Sequence, residues 1–247
     1  MNLMKRIVIL GATSGMIQPL LRKMAAQGNE MLLVARSQER LDAVRSDLLA
    51  RGAGTVITFE TDLTCSPDLV FSFAEECFSD FDTLLLSYGT MLDQSKCQID
   101  AEQAIREIQT NFVSAVALLT VFARHFESRH CGTIAVITSV AGDRGRRSNY
   151  VYGAAKGGLS IFLQGMRSRM SQYGVRVLTI KPGPVSTAMT ANLTNVPMAA
   201  DPEMVARDIY HALKNSTSNV IYTPRRWRWI MAMLNAIPEH VFKRMPI

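Results

Sequence analysis

The chain reads as an α/β protein: a single doubly wound, Rossmann-like parallel sheet with helices on both faces. Three observations predict it. Short, continuous apolar runs recur along the chain, as strands covered on both faces require. Each run is followed by a stretch of helical periodicity, the alternation that builds a parallel sheet. The first run meets a turn of small residues, Gly11-Ala12-Thr13-Ser14-Gly15, directly before a helix. Such a turn lets backbone approach a pyrophosphate and aims free helix N–H groups at it.

The elements follow in order. Residues 6–10 are apolar and β-rich, and 17–27 are helical, with Pro19 tolerated in a first turn. A strand at 31–35 precedes a helix at 38–51 with charges on one face. Next come a strand at 55–61, a helix at 68–79 and a strand at 83–87. One long helix is expected over 101–126, then a strand at 133–138 and a helix at 152–173. The strand at 175–180 is closed by Pro182-Gly183-Pro184; a helix at 202–214 and a strand at 219–222 complete the pattern.

An apolar fraction of 48% with 19% charged residues supports a large core and excludes wholesale disorder. No repeat or linker divides the 247 residues. Residues 1–224 are expected as one domain, with 225–247 a basic, aromatic extension of it. Cys65, Cys77, Cys97 and Cys131 are scattered, which argues against a zinc site or disulfide framework and for a reducing compartment. No metal is expected. The longest nearly apolar stretch, 112–123, is shorter than the roughly 20 residues that span a bilayer. A cytoplasmic protein, at most peripheral on the inner face of the membrane, is expected. The net charge of +6 leaves anionic partners open. Nucleic acid is set aside, because the arginines do not interleave with aromatic stacking positions.

The first turn offers Gly11, Thr13, Ser14, Gly15 and Met16 to a dinucleotide. The second strand ends in Ala35-Arg36, where an NAD site places an acid for the ribose hydroxyls. Arg36 suits a 2′-phosphate instead, so NADP(H) is the expected cofactor; alternatively it is a plain surface arginine. Asp62-Leu63, after the third strand, suits an adenine contact, and Asp62 equally suits the N-cap of the next helix.

Ser139 ends the fifth strand, Tyr152 opens a helix, and Lys156 follows one turn later on the same face. A cation beside a phenol favours the phenolate, which predicts a tyrosine pKa drawn down towards working pH. Such a tyrosine exchanges a proton with a carbonyl oxygen while Ser139 holds that oxygen. Tyr150 has no lysine four positions on and is expected as a wall or core residue.

With these residues the chain resembles the short-chain dehydrogenase/reductase family across nearly its full length. The resemblance implies a catalytic set of Asn111, Ser139, Tyr152 and Lys156, the lysine also binding nicotinamide ribose. It also implies that Gly89, Pro182, Gly183, Val185 and Thr187 lie along the cofactor. Two departures stand out: Ile17 replaces the third glycine of the fingerprint, and Leu86-Ser87-Tyr88-Gly89 keeps only the glycine of the fourth-strand motif.

Arg144, Arg146 and Arg147 lie between Ser139 and Tyr152 and suit a phosphate or carboxylate on a substrate. The tail carries both tryptophans in Arg225-Arg226-Trp227-Arg228-Trp229. It suits either a membrane interface or a terminal helix over the cleft or a dimer partner. Within the family, this loop and tail resemble the decaprenylphosphoryl-2-keto-ribose reductase group, which implies a keto-sugar on a polyprenyl phosphate. Another lipidic or anionic ketone, and a non-catalytic lipid- or membrane-associated protein on the same fold, are the alternatives. Small and apolar residues in the helices at 101–126 and 152–173 suggest a homo-oligomer.

Overall fold

The computed structural model describes residues 4–187, 198–215 and 217–245. Positions 246 and 247, the end of the tail, lie outside the described residues. The strands are β1 (Arg6–Leu10), β2 (Glu30–Ala35), β3 (Val56–Glu60), β4 (Thr83–Leu86), β5 (Thr133–Ile137), β6 (Arg176–Pro182) and β7 (Val220–Thr223). They form an all-parallel sheet in the order β3-β2-β1-β4-β5-β6-β7. This is the doubly wound, Rossmann-like arrangement.

Ile7 and Ile9 enter the core on one face of the sheet, whereas Val8 and Leu10 enter the core on the other. A strand buried on both sides must be apolar at every position, which is why β1 reads as an unbroken run. The first face is covered by α1 (Gln18–Ala25), α2 (Gln38–Ala50) and α8 (Pro202–Asn215). The second is covered by α3 (Pro67–Cys77), α6 (Ser114–Arg129) and α7 (Tyr150–Ser171). Ile17 is fully buried in the first core, beneath the turn that precedes α1.

The chain leaves β1 towards β2 on one side and returns as β4 on the other, opening a crevice at the strands' carboxyl ends. Gly11 sits in that crevice with φ +91°, and a Cβ there would stand 2.7 Å from Tyr88 Cβ. The ends of β1 and β4 close on one another only because Gly11 has no side chain. Ser87 completes the seam, its N–H donating to Leu10 O at 2.8 Å and its hydroxyl to Gly11 O at 3.1 Å.

The single helix expected over 101–126 is instead three pieces: α5 (Ala101–Ile108), a π turn at Gln109–Val113, and α6. The extra residue in the π turn carries Asn111 inward, 1% exposed. The α7 helix starts at Tyr150, and that ring is 44% exposed rather than part of a wall or the core. Short helices α4 (Gln94–Cys97), α9 (Arg226–Ala236) and α10 (Glu239–Phe242) complete the chain. Trp227 and Met231 of α9 pack on Val140, so the tail's first helix lies against the segment that follows β5. Among the described residues no helix is long and apolar enough to cross a membrane.

Candidate active site

A cavity of about 600 Å³ opens at the carboxyl ends of the strands. Along one half it is lined by Gly11, Thr13, Ser14, Gly15 and Met16 of the first turn, Arg36 after β2, and Asp62 and Leu63 after β3. Asp62 Oδ1 accepts from the Thr64 N–H at 2.9 Å and the Thr64 hydroxyl at 2.8 Å. These bonds and the charge of Arg36 hold its carboxyl below the usual range, against the cost of burial. Asp62 therefore caps its own turn, and the N-cap position of α3 belongs to Ser66. Ile17 does not line the cavity, so the missing third glycine leaves this wall unchanged.

Arg40 is a lining residue that sequence reasoning missed. It lies in the first turn of α2, four residues after Arg36, and its guanidinium donates to Thr13 O at 2.9 Å. Its place in the first turn of α2, just past the β2 end that carries Arg36, was a usable signal.

The other half holds Gly89, Asn111, Ser139, Tyr152, Lys156, Pro182, Gly183, Val185 and Thr187. Three glycines bring the catalytic candidates together. A Cβ on Gly142 would stand 2.5 Å from Gly157 N, and one on Gly153 would stand 2.8 Å from Ala141 O. The turn Val140–Gly142 therefore nests directly on the α7 backbone, beside Tyr152 and Lys156. Ser139 begins that turn, its hydroxyl accepting from Ala141 N at 3.1 Å and hydrogen-bonded to Tyr152. Asn111 is clamped by Thr90: Oδ1 accepts from the Thr90 N–H at 3.2 Å, and Nδ2 donates to Thr90 O at 3.0 Å.

The electrostatics depart from expectation. Tyr152 is pushed up to about 12, chiefly by burial and further by the charge of Glu107. The Ser139 hydrogen bond and Arg146 act in the opposite direction. Lys156 is itself buried and pushed down to about 8, and its Nζ lies 5.9 Å from the Tyr152 ring centre. The predicted acidic tyrosine is thus corrected: desolvation outweighs the nearby cation, and the cation that acts on the phenol is Arg146. At neutral pH Tyr152 is protonated.

The three loop arginines part company. Arg146 lines the cavity, its Nε buried with no hydrogen-bond partner, as is Asn149 Oδ1 nearby. Arg144 is not brought to the cavity; it bonds the Leu234 carbonyl, pairs with Glu239 at 3.2 Å and lies over the Phe242 ring at 3.7 Å. Its role is to hold the tail. Arg147 is exposed and lines nothing. Trp227 of the tail packs on the cavity-lining Gly183, its indole nitrogen leaving no room there for a Cβ.

Comparison with known proteins agrees with this architecture. The family model described as short chain dehydrogenase matches residues 5–197. An uncharacterized oxidoreductase of Mycobacterium tuberculosis is 37% identical over 243 residues, 97% of this chain and 96% of that protein. The ketoacyl reductase HetN of a Nostoc species is 27% identical over 223 residues, 88% of this chain and 78% of the relative. A solved short chain dehydrogenase from Burkholderia cenocepacia, in complex with NADP, superposes with a TM-score of 0.83 at 21% identity, covering 98% of each chain. Matched by the family model over most of its length, and by an oxidoreductase over nearly all of it, the chain belongs to the short-chain dehydrogenase family.

Proposed function

We propose that the protein is an NADP(H)-dependent reductase that converts a ketone to an alcohol. The observation that carries this reading is Tyr152, protonated at neutral pH, facing the cavity between Ser139 and Lys156. The cavity fits the dinucleotide: its first turn is built of small residues, and Arg36 and Arg40 flank it where an NAD site places an acid. The NADP-bound relative supports the same choice. When bound, NADPH supplies the hydride. Arg36 and Arg40 hold the 2′-phosphate, and Asp62 and Leu63 border the adenine. Ser139 holds the substrate's carbonyl oxygen, and Tyr152 gives that oxygen its proton. Tyr152 regains its proton from solvent by way of the Lys156 ammonium, and Asn111 helps to position that path.

Arg146, with an unpaired buried Nε, and Arg106 at the cavity edge favour a ketone that bears a phosphate or carboxylate. A keto-sugar linked to a polyprenyl phosphate belongs to that class. One further observation favours a lipidic substrate. On α9, Trp229 and Met233 are 71% and 72% exposed beside exposed Arg225, Arg226 and Arg228, a composition suited to an anionic membrane surface. Ile105, Val113 and Ile161 are also exposed on the helices expected to pair copies of the chain.

The deciding experiment follows NADPH consumption with a panel of anionic and neutral ketones, alongside nucleotide binding by fluorescence. Tyr152→Phe is expected to lose about 10²-fold or more in turnover while still binding NADPH. Full turnover in that variant, or native protein that binds no NADPH, overturns the reading.

A further inference from the structure

Glu107 is a fully buried carboxylate that the chemistry above does not use. It lies on α5, one turn before Asn111. Its Oε2 accepts from the Thr90 hydroxyl at 2.7 Å and from the Leu92 N–H at 3.3 Å. Its Oε1 is equally enclosed and has no hydrogen-bond partner. Its main-chain carbonyl accepts from Asn111 Nδ2 at 3.1 Å, so the turn that carries Glu107 also steadies Asn111.

Lys156 has the complementary deficit. Its ammonium carries three donors, yet its hydrogen bond is a long one, 3.5 Å to Ile137 O on β5. Asn111 and Lys156 both press on Gly89, where a Cβ would stand 2.5 Å from Asn111 Oδ1 and 3.1 Å from Lys156 Nζ. Two buried groups of opposite charge, each short of partners, thus lie on either side of Asn111 and the Gly89-Thr90 segment, beyond direct ion-pair distance.

We propose that Glu107 is a positioning residue for this site: its carboxylate is the counter-charge that keeps Lys156 an ammonium beside Tyr152. The proposal deepens the reductase reading and rests on it for the consequence in turnover. The charged and titratable groups involved come from three helices. Glu107 on α5 acts on Lys156 and Tyr152 of α7 and on Cys97 of α4, and Arg146 acts on Tyr152 from the preceding loop. Burial drives Lys156 towards its neutral form, and Glu107 is the charge that resists it. The same carboxylate disfavours the phenolate, which keeps Tyr152 in the proton-donating form that carbonyl reduction needs.

The test reads Lys156 directly. In protein labelled at lysine Cε, the Lys156 resonance is identified by its loss in Lys156→Met and titrated by NMR. In Glu107→Gln its midpoint is expected to fall by about one pH unit, a tenfold change in the ratio of ammonium to amine. The alkaline limb of kcat/KM for ketone reduction is expected to fall with it, and salt should change the shift little because the pair is buried. Glu107→Asp, its carboxylate withdrawn by one methylene, is expected to move the midpoint the same way by less, and serves if the glutamine variant does not fold. An unmoved Lys156 midpoint in the folded variant overturns the proposal. A moved midpoint in protein that reduces no ketone upholds the Glu107–Lys156 pairing and defeats the reductase reading instead.

Discussion

Lys181 on β6 and Asp143 in the segment after β5 form an ion pair of 2.5 Å, their side chains only 12% and 6% exposed. The other Asp143 oxygen accepts from the Tyr222 hydroxyl of β7 at 2.8 Å. One carboxylate thus ties two strands to the loop that leads, three residues later, to Arg146. Charge and hydrogen bonds are both met, so the pair secures the loop instead of straining it.

Asp143→Ala leaves the Lys181 ammonium enclosed and unpaired. Removing one partner of a buried pair costs about 3–5 kcal/mol, which for a chain of this size lowers Tm by roughly 10 °C. Thermal unfolding followed by circular dichroism checks this, and an unchanged Tm contradicts it.

Arg36→Asp and Arg40→Ala address the cofactor. Each guanidinium bond to a phosphate contributes about 1.5–3 kcal/mol, so each variant is expected to bind NADPH roughly 10- to 100-fold more weakly. In Arg36→Asp, NADH should gain relative to NADPH. Titration of both nucleotides decides it; a constant NADPH/NADH ratio removes Arg36 from the role.

Ile17→Gly restores the third glycine of the fingerprint. Because Ile17 faces the core and not the cavity, the change should destabilise by at least about 2–5 kcal/mol and leave NADPH affinity within twofold in the folded fraction. Urea unfolding and nucleotide titration test both halves. A large gain in affinity shows that the isoleucine obstructs the cofactor after all.

The outcome at Ile17 shows what the sequence conveys and what it hides. The alternation of strands and helices, the first turn and the run from Ser139 to Lys156 were legible, because each rests on local pattern: short continuous apolar runs, small residues at one turn, i to i+4 on a helix. Three features were hidden because they depend on distant partners. Arg144 turned to the tail, since Leu234, Glu239 and Phe242 lie some 90 residues away in sequence. The Tyr152 pKa followed burial, which spacing alone does not report. Ile17 packs into a core cluster that also gathers residues of β1, β2, β6 and α8, a setting that the local fingerprint does not report.

Trp229→Ser with Met233→Ser tests the exposed face of α9. Native protein is expected to sediment with liposomes of anionic lipid and not with neutral ones, and the double variant should lose most of that sedimentation. Its Tm should hold, because both side chains are solvent-exposed. Native protein that stays in the supernatant excludes the lipid surface.

The π turn at Gln109–Val113 makes the cleft sensitive to chain length. Excising a single residue there would leave an ordinary, continuous helix and cost little by propensity alone. It would also swing everything upstream by about 100° about the helix axis. Glu107 would then be carried away from Thr90 and Lys156, disarming the protein without unfolding it. The surplus residue is thus a phase setting, and a natural relative that lacks it would have to hold its lysine by some other means.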